Sequence, residues 1–300
     1  VKSRILIVDD EPAIRAMLCD FLESQFMIDS ASQAEEALQL CSVNEYDLVI
    51  SDINMPGMKG YELLSIIKSQ HANTRTVLIT AYNVDEYIRL ARSHGICNIF
   101  SKTSPFNFTE LLNLVNALVS RDIFGLNKYM DTGYSTLGKW VIKSSDAARE
   151  TRQAVVEILP ALHRDANEIK LVVDEIITNA LYHAPHTPEG SRKYKSYQPI
   201  SLTDEEAVSV EVGIDKHKVA ISIMDRQGNL DKDRILYLID RHINAEGIYD
   251  ESGRGIYMSR IFSDRMIVNI DPGKRTEVII LFFLQAEKYK GFKPLYINQL

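Results

Sequence analysis

Short apolar runs alternate with amphipathic stretches over the first 120 residues. The runs at 4–8, 27–30, 48–51, 77–80 and 98–101 are strand-like, bounded by polar residues and too short for helices. Between them lie segments with helical periodicity. In 13–22, Ile14, Met17, Leu18, Phe21 and Leu22 recur at helical spacing, and 35–40, 61–67, 85–91 and 108–119 behave similarly. Repeated βα units predict an α/β fold with a doubly wound five-stranded parallel sheet over residues 1–122. The pattern then breaks. Residues 123–139 carry Gly125, Gly133 and Gly138 and read as a linker. A second α/β domain is expected over 140–288, followed by a tail at 289–300. Its elements are a strand at 140–143 and a capped helix from Ser144 to Leu162. A helix at 168–184, a strand at 219–224, a helical stretch at 257–262 and a buried strand at 276–283 follow.

Composition narrows the class. The chain has 300 residues, 45% of them hydrophobic, and a net charge of -7. That balance does not favour direct nucleic-acid binding. No apolar run approaches the roughly 20 residues that cross a bilayer, so no membrane partner is expected. Cys19, Cys41 and Cys97 are scattered and match neither a disulfide framework nor a metal spacing. A reducing, cytoplasmic location is the expectation.

Chemistry collects at the ends of the first domain's strands. The first ends in Asp9-Asp10, the third in Asp52, the fourth in Thr80 and the fifth in Lys102. Ligands of open parallel sheets gather at those ends. Carboxylates can hold a hard cation such as Mg2+, and a carboxylate can also act as a nucleophile and form an acyl phosphate. Asp52 is the better nucleophile because it stands alone at its strand end. Lys102 can offset phosphate charge, and Thr80 can hydrogen-bond it. Pro56-Gly57 fits a tight turn after Asp52.

On these motifs, residues 1–120 resemble a receiver domain of two-component response regulators, a flavodoxin-like fold. The resemblance implies Asp52 as phosphoacceptor and Asp9, Asp10, Asp52 and the Asn54 carbonyl as Mg2+ ligands. It also implies Thr80 and Lys102 as switch residues and a sensor histidine kinase as partner. The family carries an aromatic residue three positions before the lysine, where this chain has Ile99. It also places a proline directly after the lysine, where this chain has Thr103-Ser104-Pro105.

The second domain has no G-x-x-x-x-G-K-[ST] phosphate loop. It offers another set. Glu175 and Asn179 stand one helical turn apart, with His183 a turn further. An acid and an amide so placed can serve as general base and Mg2+ ligand. Asp225 ends a strand and can accept a hydrogen bond from an exocyclic amine, and Gly228 permits close backbone approach. Gly253-Arg254-Gly255 precedes a helix, where phosphates bind.

This set resembles the GHKL-type ATPase superfamily, an α/β sandwich, and within it the anti-sigma-factor serine kinases. The resemblance implies Glu175 as catalytic base and Asn179 as ligand of a nucleotide-bound Mg2+. His183, Asp225, Gly228, Gly253, Arg254, Gly255 and Thr276 become ATP- or ADP-binding residues, and 229–252 becomes a lid. The family's D-x-G-x-G is here Asp225-Arg-Gln-Gly228-Asn229. Residues 185–205 are an extra polar loop containing Arg192-Lys193-Tyr194-Lys195-Ser196-Tyr197, read first as solvated and second as partner-docking. The connector has no His and no room for a histidine-kinase dimerisation hairpin. The expected protein is therefore a response regulator. Phosphorylation of Asp52 would control an ATP-binding output that acts as an anti-sigma-like regulator or protein Ser/Thr kinase. A sigma factor or anti-anti-sigma factor is the expected target, and a homodimer is compatible. The competing expectation is a non-catalytic module that sequesters a partner.

Overall fold

A computed structural model describes residues 2–159, 162, 165–187, 189–195, 198–244, 246, 254–285 and 290–300. The chain divides into two compact units, residues 1–123 with 289–296, and residues 124–288 with 297–300.

The first unit holds strands β1 (Arg4–Val8), β2 (Met27–Ala31), β3 (Leu48–Asp52), β4 (Arg75–Thr80) and β5 (Asn98–Ser101). They are parallel and ordered β2-β1-β3-β4-β5. Helices α1 (Pro12–Leu22), α2 (Ala34–Val43), α3 (Gly60–Gln70), α4 (Ile88–Ser93) and α5 (Phe108–Ser120) connect them. Ile5, Leu6, Ile7, Leu48, Val49 and Ile50 are fully buried, as strands covered on both faces require. The strand order reverses between β1 and β3, which places a ligand crevice at their carboxyl ends. One expected helix is divided. Val84–Tyr87 is a 3-10 turn and only then does α4 begin, because the Asn83 side chain accepts the Asp85 amide and caps the tighter turn.

The second unit is an antiparallel sheet of β6 (Ser135–Ile142), β7 (Val208–Ile214), β8 (Lys218–Asp225), β9 (Arg265–Asp271) and β10 (Arg275–Phe283). Its order is β9-β10-β8-β7-β6. Helices α6 (Ser145–Ile158), α7 (Ala166–Thr178), α8 (Lys232–Ile243) and α9 (Arg254–Phe262) form the other layer, with α7 against both α6 and α9. A π-helical turn, Asn179–His183, continues α7. Such turns are frequent at functional sites.

Two expectations need correction. The linker reading of 123–139 is too long, since β6 begins at Ser135 and Gly138 disguised an edge strand whose residues are mostly exposed. Residues 125–131 are also docked. The Gly125 amide donates to Glu277, and Lys218 Nζ reaches Asp131 at 3.1 Å and Asp215 at 2.8 Å. The segment 229–252, expected as a lid, contains α8, capped by Asp231 through the Asp233 and Arg234 amides, and its residues 245 and 247–252 lie outside the described ones. The tail at 289–300 contains β11 (Leu295–Gln299). Leu295 and Tyr296 pair antiparallel with Ile99 and Asn98 in the first unit. In the second, the Leu300 amide bonds to the Ile270 carbonyl. Three apolar residues, Leu295 to Ile297, between Pro294 and Asn298 were too brief a signal to read as a strand.

Behind the second unit's sheet lies a buried carboxylate, Glu277. It accepts hydrogen bonds from Ser222 Oγ at 2.6 Å, Asn269 Nδ2 at 3.1 Å and the Gly125 amide. Asn269 Oδ1 in turn accepts from the Tyr129 hydroxyl at 3.0 Å and Asn298 Nδ2 at 2.9 Å. Burial pushes the Glu277 carboxyl above its usual range, and these donors only partly restore it. Glu277→Ala strands the Gly125 and Asn269 donors and should cost about 2–3 kcal/mol in denaturant unfolding. The raised native value also fixes a sign. As pH rises from the ordinary glutamate range through the native value, the wild type should lose stability relative to Glu277→Gln, which does not titrate.

Candidate functional site

In the first unit, β1, β3 and β5 deliver one ion cluster. Lys102 follows β5, and its ammonium lies 2.9 Å from Asp9 Oδ2 and 2.6 Å from Asp52 Oδ1. The Lys102 amide donates to the Thr80 carbonyl at 2.7 Å, which ties the end of β5 to β4. Asp9 is fully buried. Its other oxygen takes the Glu11 amide at 2.9 Å, and Asp52 Oδ2 takes the Asn54 amide at 2.6 Å. Burial raises the Asp9 carboxyl above its usual range, against the pull of Lys102. Burial also works to lower the Lys102 ammonium, but Asp52 and Asp9 outweigh it and hold it above its usual value. Thr80 is buried, and its hydroxyl accepts the Tyr82 amide at 3.0 Å. Gly60 is obligatory, since any Cβ there would run into the Asp52 carbonyl oxygen.

Sequence reasoning named Asp9, Asp10, Asp52 and Asn54 as Mg2+ ligands. The structure brings Asp9 and Asp52 onto one ammonium and leaves Asp10 partly exposed beside them. The Asn54 side chain is engaged by the Tyr87 hydroxyl at 2.6 Å, which fits a contribution through its main chain. Among the described residues no three His, Cys, Asp or Glu side chains meet as a metal cage. Mg2+ takes only one or two carboxylates and completes its shell with water and phosphate. The donor set at Asp9 and Asp52 fits that demand.

In the second unit, Asn179, His183, Asp225, Gly255 and Thr276 line one cavity of about 300 Å³. Asn179 and His183 come from the π-helical turn, Asp225 from the end of β8, Thr276 from β10 and Gly255 from α9. Asp225 Oδ1 is held by the amides of Gln227 at 2.8 Å and Gly228 at 3.1 Å. Burial raises the Asp225 carboxyl despite those donors. The Thr276 hydroxyl lies beside it, buried and without a hydrogen bond of ordinary geometry. A buried acceptor beside an unsatisfied hydroxyl, with Ile176, Ile223 and Val278 around them, suits a flat heteroaromatic ring bearing an amine. Burial and Arg192 together lower the His183 imidazole, favouring its neutral form.

The other expected residues sit elsewhere. Glu175 is on α7 and lines a neighbouring cleft with Arg152, Lys170 and Asp174. Its carboxylate abuts Gly255, where a Cβ would collide with it. Burial and Asp174 raise its pKa, as suits a general base. Gly228 adopts φ +62° and faces the turn between β9 and β10 rather than the cavity. Arg254 opens α9 outside the cavity lining. Gly253 lies outside the described residues, as do Ser196 and Tyr197 of the extra loop.

The residues that sequence reasoning missed are Asn229, His186, Arg192 and Arg234, all on the cavity wall. Asn229 Nδ2 donates to the Ala184 carbonyl at 2.9 Å, and His186 bridges to Arg192 across a small hairpin. Asn229 replaces an expected glycine, which was the available signal. The hairpin residues follow no periodicity that could have marked them. The extra loop therefore forms part of the cavity wall.

The fold and these two constellations define a receiver domain joined to a GHKL-type ATPase domain. A family model for the response regulator receiver domain matches residues 5–116, and one for the histidine kinase-like ATPase domain matches residues 143–282. Sporulation initiation phosphotransferase F of Bacillus subtilis is 32% identical over 116 residues, 38% of this chain and 92% of that protein. Response regulator protein FleR of Pseudomonas aeruginosa is 34% identical over 116 residues, 38% of this chain but 24% of that protein. The solved response regulator TrrA of Thermotoga maritima, in complex with Mg2+-BeF, is 40% identical. That alignment covers 39% of this chain and 98% of TrrA, with a TM-score of 0.36. The chain belongs to the response regulator family and carries a histidine kinase-like ATPase domain after its receiver. Among the described residues no helix is long and apolar enough to cross a membrane.

The ion cluster makes its own prediction. Lys102→Ala leaves two carboxylates facing one another without a cation. It should destabilise the first unit by about 3 kcal/mol, measured as faster amide exchange in β1 and β3.

Proposed function

We propose that this protein is a phosphorylation-dependent regulator in which Asp52 receives a phosphoryl group from a sensor histidine kinase. In the proposed step an Asp52 carboxylate oxygen attacks the phosphorus of a kinase phosphohistidine. The P–N bond breaks, the imidazole takes up a proton, and the P–O bond of an acyl phosphate forms. Mg2+ at Asp9 and Asp52 would neutralise the charge that develops on the phosphoryl oxygens. Lys102 and Thr80 would hold the same oxygens.

The second domain, on this reading, binds Mg·ATP and acts on a protein partner as an anti-sigma-like regulator or Ser/Thr kinase. One observation carries it, the convergence of Asn179, His183, Asp225, Gly255 and Thr276 on a single cavity. Asp225 would accept the adenine amine, and Asn179 would ligate the nucleotide's Mg2+. Glu175 would take the proton from an acceptor hydroxyl. A sigma factor or anti-anti-sigma factor is the proposed target. A second reading draws on the position of Glu175, which lines a separate cleft rather than the cavity. On it the domain sequesters its partner without catalysis, and nucleotide is absent or structural.

Acetyl phosphate should label the wild type and not Asp52→Asn, read by phosphate-affinity electrophoresis. Labelling of the variant would remove Asp52 from its role. Calorimetry should give heat with ATP and ADP that Asp225→Asn reduces by about 2 kcal/mol of binding free energy or more. No heat with the wild type would favour the sequestering reading. If transfer to a partner is found, Glu175→Gln should keep nucleotide and lose transfer. The acid limb of the pH-rate profile should lie above the ordinary glutamate range, since the base works only when ionised. Asp174→Asn removes a charge that raises Glu175 and should move that limb to lower pH.

A further inference from the structure

The extra polar loop of the second unit folds back on itself between 185–187 and 191–193, beside the cavity that holds Asp225 and Thr276. His186 and Arg192 pair as an antiparallel bridge. The Thr187 amide donates to the Ser191 carbonyl at 2.8 Å, and the Lys193 amide to the Pro185 carbonyl at 3.0 Å. Asn229 Nδ2 lies 2.9 Å from the Ala184 carbonyl and 3.2 Å from His186 Nδ1, which ties the chain after β8 to the start of this hairpin. Its other end is tied by Glu206, a buried carboxylate. One Glu206 oxygen takes Lys193 Nζ at 2.6 Å, and the other takes the Tyr194 hydroxyl at 3.0 Å and the Thr203 amide at 3.1 Å.

These contacts sort the basic and aromatic residues of the loop. Lys193 and Tyr194 are spent on Glu206 and hold the loop down, so they do not form a free patch for a partner. Arg192 stands one position earlier in extended backbone, where successive side chains point to opposite sides, and it lines the cavity. Arg234 lines the same cavity from the first turn of α8, a place where the helix macrodipole disfavours a cation. Among the described residues neither guanidinium makes a hydrogen bond or an ion pair. The cavity also has a floor and a rim. Asp225 and Thr276 are buried, whereas Arg192, Asn229, Asp231 and Arg234 are exposed. Asp231 brings no free charge to the rim, since its two oxygens take the Asp233 and Arg234 amides of its own helix. A volume of about 300 Å³ is small for a ligand site. It suits a base and its sugar, and any group beyond them reaches the rim.

We infer that the extra loop is a phosphate clamp, in which Arg192, joined by Arg234, grips the phosphate chain of a nucleotide whose base sits at Asp225 and Thr276. The inference rests on the nucleotide reading of this cavity and adds to it a residue from outside the motifs that carry the family resemblance. A guanidinium offers a planar fork of donors that matches phosphate oxygens, and such charge-assisted bonds are about twice as strong as neutral ones. His183 adds no competing cation, because burial and Arg192 hold its imidazole below the usual value and keep it neutral. The loop then makes the site discriminate by phosphate: a nucleoside fills the floor without touching the clamp, and a nucleoside di- or triphosphate engages both. The backbone around Arg192 is fixed by the Ser191 and Lys193 bonds across the hairpin, so a ligand held by Arg192 also restrains the hairpin.

Calorimetry on the full chain with ADP and ATP in the presence of Mg2+, and with adenosine as a competitor of ADP, tests this. Arg192→Ala should weaken ADP and ATP about tenfold or more and leave adenosine within about twofold. Arg192→Lys, which keeps the charge and loses the fork, should recover only part of that loss. Arg192→Ala with Arg234→Ala should weaken ADP and ATP further than either change alone. Hydrogen exchange at 189–193 should slow with ATP and not with adenosine. Unchanged ADP and ATP affinity in Arg192→Ala overturns the clamp alone. An equal loss for adenosine and ATP does the same, since it would make Arg192 a support of the cavity wall. Absence of ADP and ATP binding by the wild type overturns the nucleotide reading and the clamp with it.

Discussion

A single ammonium decides how the first domain is put together at its functional end. Asp9 is wholly buried and Asp52 nearly so, and neither could be carried there as an anion without compensation. Lys102 supplies it to both at once, from a strand that lies on the far side of β4 from them. The arrangement fixes the ends of β1, β3 and β5 together. It also concentrates negative potential at a point where one cation is already shared, so a divalent ion or a phosphoryl group entering there must redistribute that cation. On the proposed function, structural stability and responsiveness would come from one set of contacts.

The second domain meets the same problem mainly with uncharged donors. Asp225 and Glu277 are both buried carboxylates held mainly by hydrogen-bond donors. Their surroundings differ in one respect. Glu277 is enclosed by Ser222, Asn269 and the Gly125 amide, and it ties residues 125–129 to the sheet. Asp225 opens onto a cavity beside an unsatisfied threonine hydroxyl. One acid serves the fold, and the other is left available to a ligand.

The strand ends of the first domain were legible because their chemistry is local. Each apolar run names its own polar terminus, and a parallel sheet brings those termini together. Glu175, Asn179 and His183 were legible by helical spacing, although the sequence did not reveal that the helix changes to a π-helical turn at Asn179. That change sends Asn179 and His183 into the cavity and leaves Glu175 on the neighbouring cleft. Features made by distant segments were not legible. Glu277 reads in sequence as one polar residue in an apolar strand, and its partners lie at 125, 222 and 269. Leu295 and Tyr296 gain meaning only beside β5. Arg192 and His186 lie in a loop without periodicity, and only the fold places them on a cavity wall.

The docking of residues 290–296 on β5 also bears on how such a protein can be rearranged in evolution or in the laboratory. The chain supplies the first unit from two places, before residue 124 and again from 289 to 296. A recombination event that exchanged everything after residue 123 would replace the second domain and uncover unpaired amides and carbonyls on β5. Bare sheet edges of that kind promote self-association. Successful shuffling would have to carry both segments together, so the two domains of this protein are expected to be inherited as a pair rather than as interchangeable cassettes.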